Sequence, residues 1–342
     1  MMNFTLSRFE FRTAKAADRR SFTMIELLAV LAIFSILLAM VGAAVLSAET
    51  YARKMRTQDM VNRLSSLIMT KWNAMETRRV PIYIDPSSPA GAAKSRLDAL
   101  HELMRLEMPD RLNDIRDNPI TKYPDPASWD SATAKYTGTL TMTRPAVSSA
   151  YLNKVNNAPN ASTFYQGAEC LYMIITLAKE EGAGREFFKD SDVGDVDGDG
   201  LPEFLDGWGN PIRFLRWAPA FVPANGADSQ LQTSDVDASG NYKAADPFDP
   251  LRIYGGYALY PLIYSAGPDG ISDIQSDYLV PNFSNLNGLQ YSKMNNNPFY
   301  KDSTTDLKLL IGLPVDVDEG TISKNGSNDW NDNIHNHFNV LD

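Results

Sequence analysis

Cysteine and histidine are scarce in this sequence of 342 residues, which has one cysteine, Cys170, and three histidines. A single thiol excludes an intrachain disulfide framework and any zinc or iron–sulfur site built from several cysteines. Basic residues are in the minority, with 32 lysines and arginines against 42 acidic residues and a formal net charge of -10. No basic block in the second half is suited to binding phosphates, so we expect no direct nucleic-acid partner.

The sequence also lacks the catalytic motifs of common hydrolases. It contains neither a Gly-x-Ser-x-Gly elbow nor a His-Glu-x-x-His helix. His101 falls in an apolar helical pattern, and the pair His335 and His337 has no other nitrogen or sulfur ligand nearby, so we interpret the histidines as packing or incidental residues. We therefore expect no enzyme, with hydrolysis by carboxylates alone as the open alternative.

The N-terminal segment is basic and then apolar. Residues 1–21 carry five basic and two acidic side chains, and residues 27–46 contain no charged side chain. Twenty apolar residues, at about 1.5 Å each, span a bilayer core as a helix. The basic flank predicts a cytoplasmic N-terminus and an acidic body on the other side. Glu26 stands at the edge of this run, where a carboxylate costs roughly 2.5–3.5 kcal/mol unless it finds a partner.

The residues around Glu26 resemble the N-terminal signature of type IV pilins and type II secretion pseudopilins; they read Arg19-Arg20-Ser21-Phe22-Thr23-Met24-Ile25-Glu26-Leu27-Leu28. The resemblance implies that prepilin peptidase cuts between Ser21 and Phe22 and methylates the new N-terminus. It also implies that Glu26, the fifth mature residue, pairs with the amine of a neighbouring subunit. The family nearly always has glycine where this chain has Ser21. An ordinary signal peptide or a plain signal anchor is the alternative.

A helical apolar pattern continues beyond the membrane segment and predicts one long helix over residues 22–78, ending before Pro81; the apolar positions are Val61, Leu64, Ile68, Trp72 and Met75. Shorter helices are predicted at 94–108 and 162–181, and a strand at 137–143. We divide the chain into a leader (1–21), a long helix (22–79, with 22–46 membrane-spanning), an inserted helical and loop region (80–160) and a C-terminal head (161–342). Cys170 lies in an apolar helix and is predicted to be a buried thiol.

Carboxylates crowd a loop that begins at residue 195. Positions 1, 3, 5, 9 and 12 of an EF-hand-type calcium loop are matched, with Gly200 at position 6 and the Leu201 carbonyl at position 7; the acidic residues are Asp195, Asp197, Asp199, Glu203 and Asp206. Pro202 argues against a helix leaving the loop. The pattern predicts a calcium site without the full helix–loop–helix module, and a solvated acidic turn is the alternative.

Two further acidic groups are weaker candidates for metal binding. The first is a second twelve-residue loop, 235–246, whose candidate ligands are Asp235, Asp237, Ser239 and Asp246. Lys243 occupies position 9 of this loop, so a metal site and a solvated loop stay equally open. The other follows from a second resemblance. The segments 206–212, 264–270 and 332–334 resemble, in order, three features of the major pseudopilin of type II secretion: its Trp-Gly-Asn-Pro turn, its Ser-Gly-Asp-Gly turn and its acidic tail. That resemblance implies a calcium ion near Asp269, Asp273, Asp277 and Asp332.

The expected fold is α+β, with a long N-terminal helix packed on a small antiparallel sheet formed by residues 211–217, 257–265 and 308–313. The expected function is a structural subunit of a type II secretion pseudopilus or a related type IV pilus-like filament. Its partners would be prepilin peptidase, other pilin or pseudopilin subunits and an inner-membrane assembly platform, with the head in the periplasm. The alternative is a membrane-anchored, calcium-dependent binding module or hydrolase.

Overall fold

The computed structural model describes residues 23–85, 88–177, 185–218, 221, 246–253, 258–272, 274, 276 and 333–337. The chain divides into two compact units, Met1–Tyr51 and Ala52–Asp342. Helix α1, Met24–Glu76, runs through the boundary between them without a break. This confirms the single long helix that was predicted for residues 22–78.

The first unit contains the apolar half of α1, and its described side chains are exposed. Leu27 and Phe34, for example, are 54% and 63% exposed. Among the described residues, α1 is the only helix long and apolar enough to cross a membrane, with a mean hydropathy of 2.7 over its most apolar window. An aliphatic surface of this size is stable only in lipid or against other apolar surfaces.

The second unit is built around the C-terminal half of α1. Its buried stripe repeats every three or four residues and comprises Thr57, Met60, Val61, Leu64, Ile68, Trp72 and Met75. The stripe shares one core with helix α5, Gln166–Leu177, and with the strand residues Phe204 and Ile263. The stripe and strand residues therefore belong to one core, as predicted.

The region predicted as an insertion, residues 80–160, contributes to the same core. It holds helices α2 (Pro89–Glu107), α3 (Leu112–Arg116) and α4 (Ala146–Asn156). Leu100, Met104 and Tyr151 belong to the core cluster that contains Cys170. Residues on both sides of position 160 thus lie in one compact unit, and the division of the chain at that residue stays a prediction. Helix α2 begins earlier than predicted because Ser88 caps it and Pro89 occupies its first turn.

Two small hairpins complete the inserted region, for which the sequence predicted helices, loops and one strand. Strand β1 (Lys122–Pro124) pairs with β4 (Thr139–Thr141), and β2 (Trp129–Asp130) pairs with β3 (Lys135–Tyr136), both antiparallel. The predicted strand at 137–143 is confirmed in a shorter form. In the β2–β3 hairpin, the rings of Trp129 and Tyr136 pack against each other with their centroids 4.8 Å apart.

A three-stranded antiparallel sheet has the order β7 (Arg213–Leu215), β8 (Leu262–Ser265) and β9 (Ile334–His335). The first two strands fall within the predicted segments 211–217 and 257–265. The third described strand comes from the acidic tail, and the predicted strand at 308–313 lies outside the described residues. A separate antiparallel pair, β5 (Val193–Gly194) and β6 (Glu203–Phe204), encloses the acidic loop. The fold is therefore α+β, as predicted.

Candidate functional site

The first functional segment is the N-terminal turn of α1. The main-chain N–H and the hydroxyl of Thr23 both donate hydrogen bonds to Glu26 Oε2, each at 2.9 Å. The N–H of Glu26 donates in return to Thr23 Oγ1 at 3.3 Å. This reciprocal arrangement is a capping box, and it gives the Glu26 carboxylate hydrogen-bond partners within its own chain. The signal for it was a Thr-x-x-Glu spacing, which the sequence analysis did not use. Ser21 and Phe22 lie outside the described residues.

The second segment is the acidic loop between β5 and β6. Two glycines take left-handed backbone conformations there, Gly198 with φ 74° and Gly200 with φ 96°. This is the conformation that only glycine adopts without strain, and it lets alternate side chains converge. Ligand oxygens of Asp195, Asp197 and Asp199 lie within 4.8 Å of one another. The absence of a helix after the loop, expected from Pro202, is confirmed because Glu203 begins β6 instead.

Hydrogen bonds from the main chain hold this loop. Asp195 accepts the N–H groups of Asp199 at 3.1 Å and of Gly200 at 3.0 Å. Asp199 accepts the N–H of Leu201 at 2.8 Å and that of Ser162 at 2.7 Å. The bond from Ser162 ties the loop to the segment that precedes helix α5. The Leu201 side chain is buried in the core, and coordination by its carbonyl stays a prediction.

Glu169, which the sequence analysis missed, joins the loop from helix α5. Its ligand oxygen lies within 4.8 Å of those of Asp197 and Glu203, so Asp197 belongs to both acidic groups. The Glu169 side chain is 0% exposed, and neither of its carboxylate oxygens has a hydrogen-bond donor. The available signal was an acidic residue within a run that is otherwise apolar or small, Gly167-Ala168-Glu169-Cys170-Leu171.

The electrostatics of the cluster follow from burial and repulsion. Burial raises the pKa of Glu169 to about 9, and the carboxylates of Asp199, Glu203 and Asp197 add to the shift. The pKa of Glu203 is raised to about 7, chiefly by burial; the hydrogen bond from the N–H of Val196 lowers it, and the carboxylates of Asp197, Asp195 and Asp199 contribute to the rise. A cluster of buried and neighbouring carboxylates of this kind favours bound protons or a bound cation.

Asp206, predicted as the twelfth ligand of the loop, is used differently. Its Oδ1 accepts the N–H groups of Trp208 at 2.8 Å and of Asn210 at 2.9 Å, and its Oδ2 accepts the hydroxyl of Ser265 at 2.6 Å. It belongs to neither acidic group. Asp206 follows the extended β6 strand and lies in the next turn, so its carboxylate is used there, and ligation of a metal by Asp206 stays a prediction.

The structure brings together segments 206–212 and 264–270 and residues 333–334 of the tail, the three segments on which the second resemblance was predicted. Asn210 Nδ2 donates to the carbonyl of Gly267 at 2.9 Å, which joins the first turn to the second. The tail joins them because Ile334 pairs with Ser265 and Asn333 Nδ2 donates to the Ser272 carbonyl at 2.7 Å. The observed contacts among the three segments are hydrogen bonds and strand pairing.

The other candidate ligands are only partly described. Asp269 is exposed, and its Oδ1 accepts the N–H of Ile271 at 2.9 Å. Asp246 is buried, accepts the N–H of Phe248 at 2.9 Å, and has a pKa raised to about 6 chiefly by burial. The remaining candidates, Asp235, Asp237, Ser239, Asp273, Asp277 and Asp332, lie outside the described residues, so both weaker metal sites stay predictions.

The cysteine and the histidines are buried. Cys170 is 0% exposed, which confirms the predicted buried thiol, and burial raises its pKa. His101 packs edge-on against Trp217 at 5.8 Å between ring centroids. His335 and His337 both pack edge-on against Phe221, at 4.9 Å and 5.5 Å. All three imidazoles are therefore packing groups.

Comparison with protein families matches residues 17–42 to the prokaryotic N-terminal methylation motif. Neither the curated proteins nor the solved structures contain a significant match to this chain. The matched segment contains Ser21, Phe22 and Glu26 together with the first turns of α1. The chain thus carries the type IV pilin-like signature of a prepilin-peptidase substrate, which implies assembly with other pilin-type subunits.

Proposed function

We propose that this protein is a structural subunit of a type II secretion pseudopilus or a related type IV pilus-like filament. The observation that carries the proposal is the continuity of α1 from the methylation motif into the core of the second unit. One helix supplies both an exposed aliphatic surface and a stripe that the second unit buries. Such a helix can leave a bilayer and pack against equivalent helices without any change in the second unit.

Glu26 supplies register in this proposal. By resemblance to the family, its carboxylate pairs with the N-terminal ammonium of a neighbouring subunit after cleavage. Buried opposite charges neutralise each other only in the correct position, so a misplaced subunit leaves a charge unpaired in an apolar filament core. The capping box orients the Glu26 side chain within the first turn before that partner arrives.

A non-enzymatic role is part of the proposal. All three histidines of the chain are buried, so none of them is available to solvent as a general base. The support for a filament role comes from the motif and from α1, and it uses no catalytic chemistry. An activity screen of the chain against glycoside, ester and peptide substrates tests this part, since turnover that is abolished by a single carboxylate substitution would contradict it.

The first experiment is mass spectrometry of the N-terminal peptide of protein from a host that has prepilin peptidase. We expect a chain that begins with N-methylated Phe22, and a chain that retains the leader in a peptidase-deficient host. Ser21→Gly should be processed at the same bond. A chain that begins at Glu49, or one that keeps Met1 in the presence of the peptidase, would contradict the proposal.

A second variant separates processing from assembly. Glu26→Gln should still be cleaved and methylated, but it should co-purify with filaments at least tenfold less than the wild type because the register charge is gone. Glu49→Gln is the matched control, since it makes the same change on an exposed position of the same helix. Equal incorporation of the two variants would overturn the role given to Glu26.

A further inference from the structure

The acidic loop and helix α5 form a cluster of five carboxylates. Two groups, each with ligand oxygens within 4.8 Å of one another, share Asp197; they are Asp195, Asp197 and Asp199, and Glu169, Asp197 and Glu203. The members come from two elements that are distant in sequence, the loop at 195–203 and the first turn of α5. Five like charges at these distances repel one another unless protons or a cation compensate.

Two members of the cluster are buried without a full set of partners. Glu169 is 0% exposed, and no main-chain N–H, hydroxyl or cationic group donates to either of its oxygens; the side chain that acts on it as a hydrogen-bonding neighbour is Asp199, another carboxylate. Glu203 is also 0% exposed, and its Oε1 has no donor although its Oε2 accepts the N–H of Val196 at 3.1 Å. Buried polar atoms in native proteins are nearly always satisfied, so oxygens like these favour a bound cation, a water or a proton.

The charges that act on these two residues have the same sign. The charged groups that shift the pKa of Glu169 are the carboxylates of Asp199, Glu203 and Asp197. Those that shift the pKa of Glu203 are Asp197, Asp195 and Asp199. The leading charged neighbours of both glutamates are thus carboxylates, which a cation would compensate.

We propose that this cluster binds one calcium ion through Glu169, Asp195, Asp197, Asp199 and Glu203. All five donors are hard carboxylate oxygens, which suit calcium and magnesium and are poor ligands for softer metals. Calcium is favoured over magnesium because it accepts six to eight oxygens in an adaptable geometry, whereas magnesium demands a near-ideal octahedron and keeps its waters. Asp206 has no part in the site, and Glu169 supplies a ligand that lies outside the loop.

The ion would connect helix α5 to the β5–β6 hairpin. Next to the cluster, the hairpin contributes Leu201 and Phe204 to the core, and the Phe204 ring lies 5.3 Å from that of Tyr172 on α5. With the ion bound, the buried carboxylates have a counter-charge, and the core contacts beside them are strengthened. Without it, protons must neutralise Glu169 and Glu203.

The test uses the full chain in detergent micelles, stripped of metal with EGTA and titrated with calcium chloride. Ion stoichiometry and affinity are measured by calorimetry, and thermal unfolding is followed with calcium or with EGTA. Glu169→Gln should bind one calcium ion fewer per chain than the wild type, or bind it at least tenfold more weakly. Glu186→Gln is the matched control because Glu186 is an exposed acid near the loop in sequence and outside the cluster.

The unfolding experiment distinguishes a ligand from a merely structural glutamate. In EGTA, Glu169→Gln should unfold at the wild-type temperature or above it, because the change removes a buried carboxylate without donors. In calcium, it should lose most of the rise in unfolding temperature that the wild type and Glu186→Gln show. Should Glu169→Gln fail to fold, Asp197→Asn tests the same ion from an exposed position common to both groups.

Three outcomes would overturn the proposal. The first is a wild-type chain that binds no calcium at millimolar concentration. The second is a Glu169→Gln variant with the stoichiometry and affinity of Glu186→Gln. The third is displacement of the ion by an equal concentration of magnesium, which would reject the choice of calcium.

Discussion

At the scale of single residues, the second unit contains several buried charged side chains, each stabilised by an oppositely charged or hydrogen-bonding neighbour. Arg105 is buried on α2 and donates twice to Glu102, from Nε at 3.0 Å and from Nη2 at 2.8 Å. Its Nη1 donates to the carbonyl of Asp114 at 2.9 Å. Close by, Arg216 Nη1 donates to Asp114 Oδ2 at 2.9 Å. These paired charges contrast with Glu169, whose carboxylate has no such donor.

Arg105→Leu is expected to lower the free energy of unfolding by about 3–5 kcal/mol, because it leaves the Glu102 carboxylate buried without its ion pair. The measurement is urea unfolding of the full chain followed by circular dichroism. Arg63→Leu is the control, since Arg63 also pairs with an acid one turn away, Asp59, but both side chains are more than half exposed. That control should stay within about 1 kcal/mol of the wild type. Equal losses in the two variants would contradict this account of the buried pair.

At the scale of elements, the turn at 206–210 is fixed to helix α1 by a close approach of two main chains. A Cβ on Gly207 would lie 2.4 Å from the carbonyl oxygen of Arg53. The N–H of Gly207 donates to Thr57 Oγ1 at 2.9 Å, and that hydroxyl donates to the Arg53 carbonyl at 2.9 Å. Only glycine fits at position 207, because the main chain of α1 leaves no room there for a Cβ atom.

Gly207→Ala is expected to destabilise the second unit by about 1–3 kcal/mol, because the added methyl group must push the turn away from α1. Thermal unfolding of the full chain provides the measurement. The same substitution at Gly42, where an added Cβ meets nothing within 4 Å, serves as the control and should leave the unfolding temperature of the second unit unchanged. A Gly207→Ala variant as stable as this control would show that the turn is not held by the close approach.

At the scale of the whole molecule, the two units differ in what buries their apolar surface. The described side chains of the first unit are exposed, and the first buried residue of α1 is Thr57. The core of the second unit is assembled from its own residues, including the α1 stripe, α5 and the inserted helices. The second unit therefore has what a domain needs to fold without the membrane segment.

A fragment that begins at Ala52 is expected to fold cooperatively, to stay monomeric without detergent and to unfold at the same temperature as the second unit of the full chain. Circular dichroism and size-exclusion chromatography measure these properties, with calcium held at one concentration in both samples. The full chain in detergent is the reference. Aggregation of the fragment, or a loss of cooperative unfolding, would show that residues 1–51 contribute to the fold of the second unit.

The sequence by itself determined the features that depend on neighbouring residues. The methylation motif, the apolar run, the length of α1 and the stripe from Val61 to Met75 are local patterns of composition and spacing, and the structure shows the helix and its burial as predicted. The β7 and β8 strands and the burial of Cys170 follow equally from short apolar runs. Patterns of this kind can be recognised in a sequence because backbone geometry fixes the helix and strand periods.

Only the tertiary structure decided which distant groups meet. Loop spacing placed Asp206 among the metal ligands, whereas the extended β6 strand delivers it to Trp208, Asn210 and Ser265. Glu169 is a single acid in an apolar helix, and nothing near it in sequence shows that α5 brings it to Asp197 and Glu203. Convergence of side chains depends on how elements pack, and packing is set by the whole core. For this reason the apolar helix and the methylation motif could be predicted from the sequence, while the membership of the acidic cluster could not.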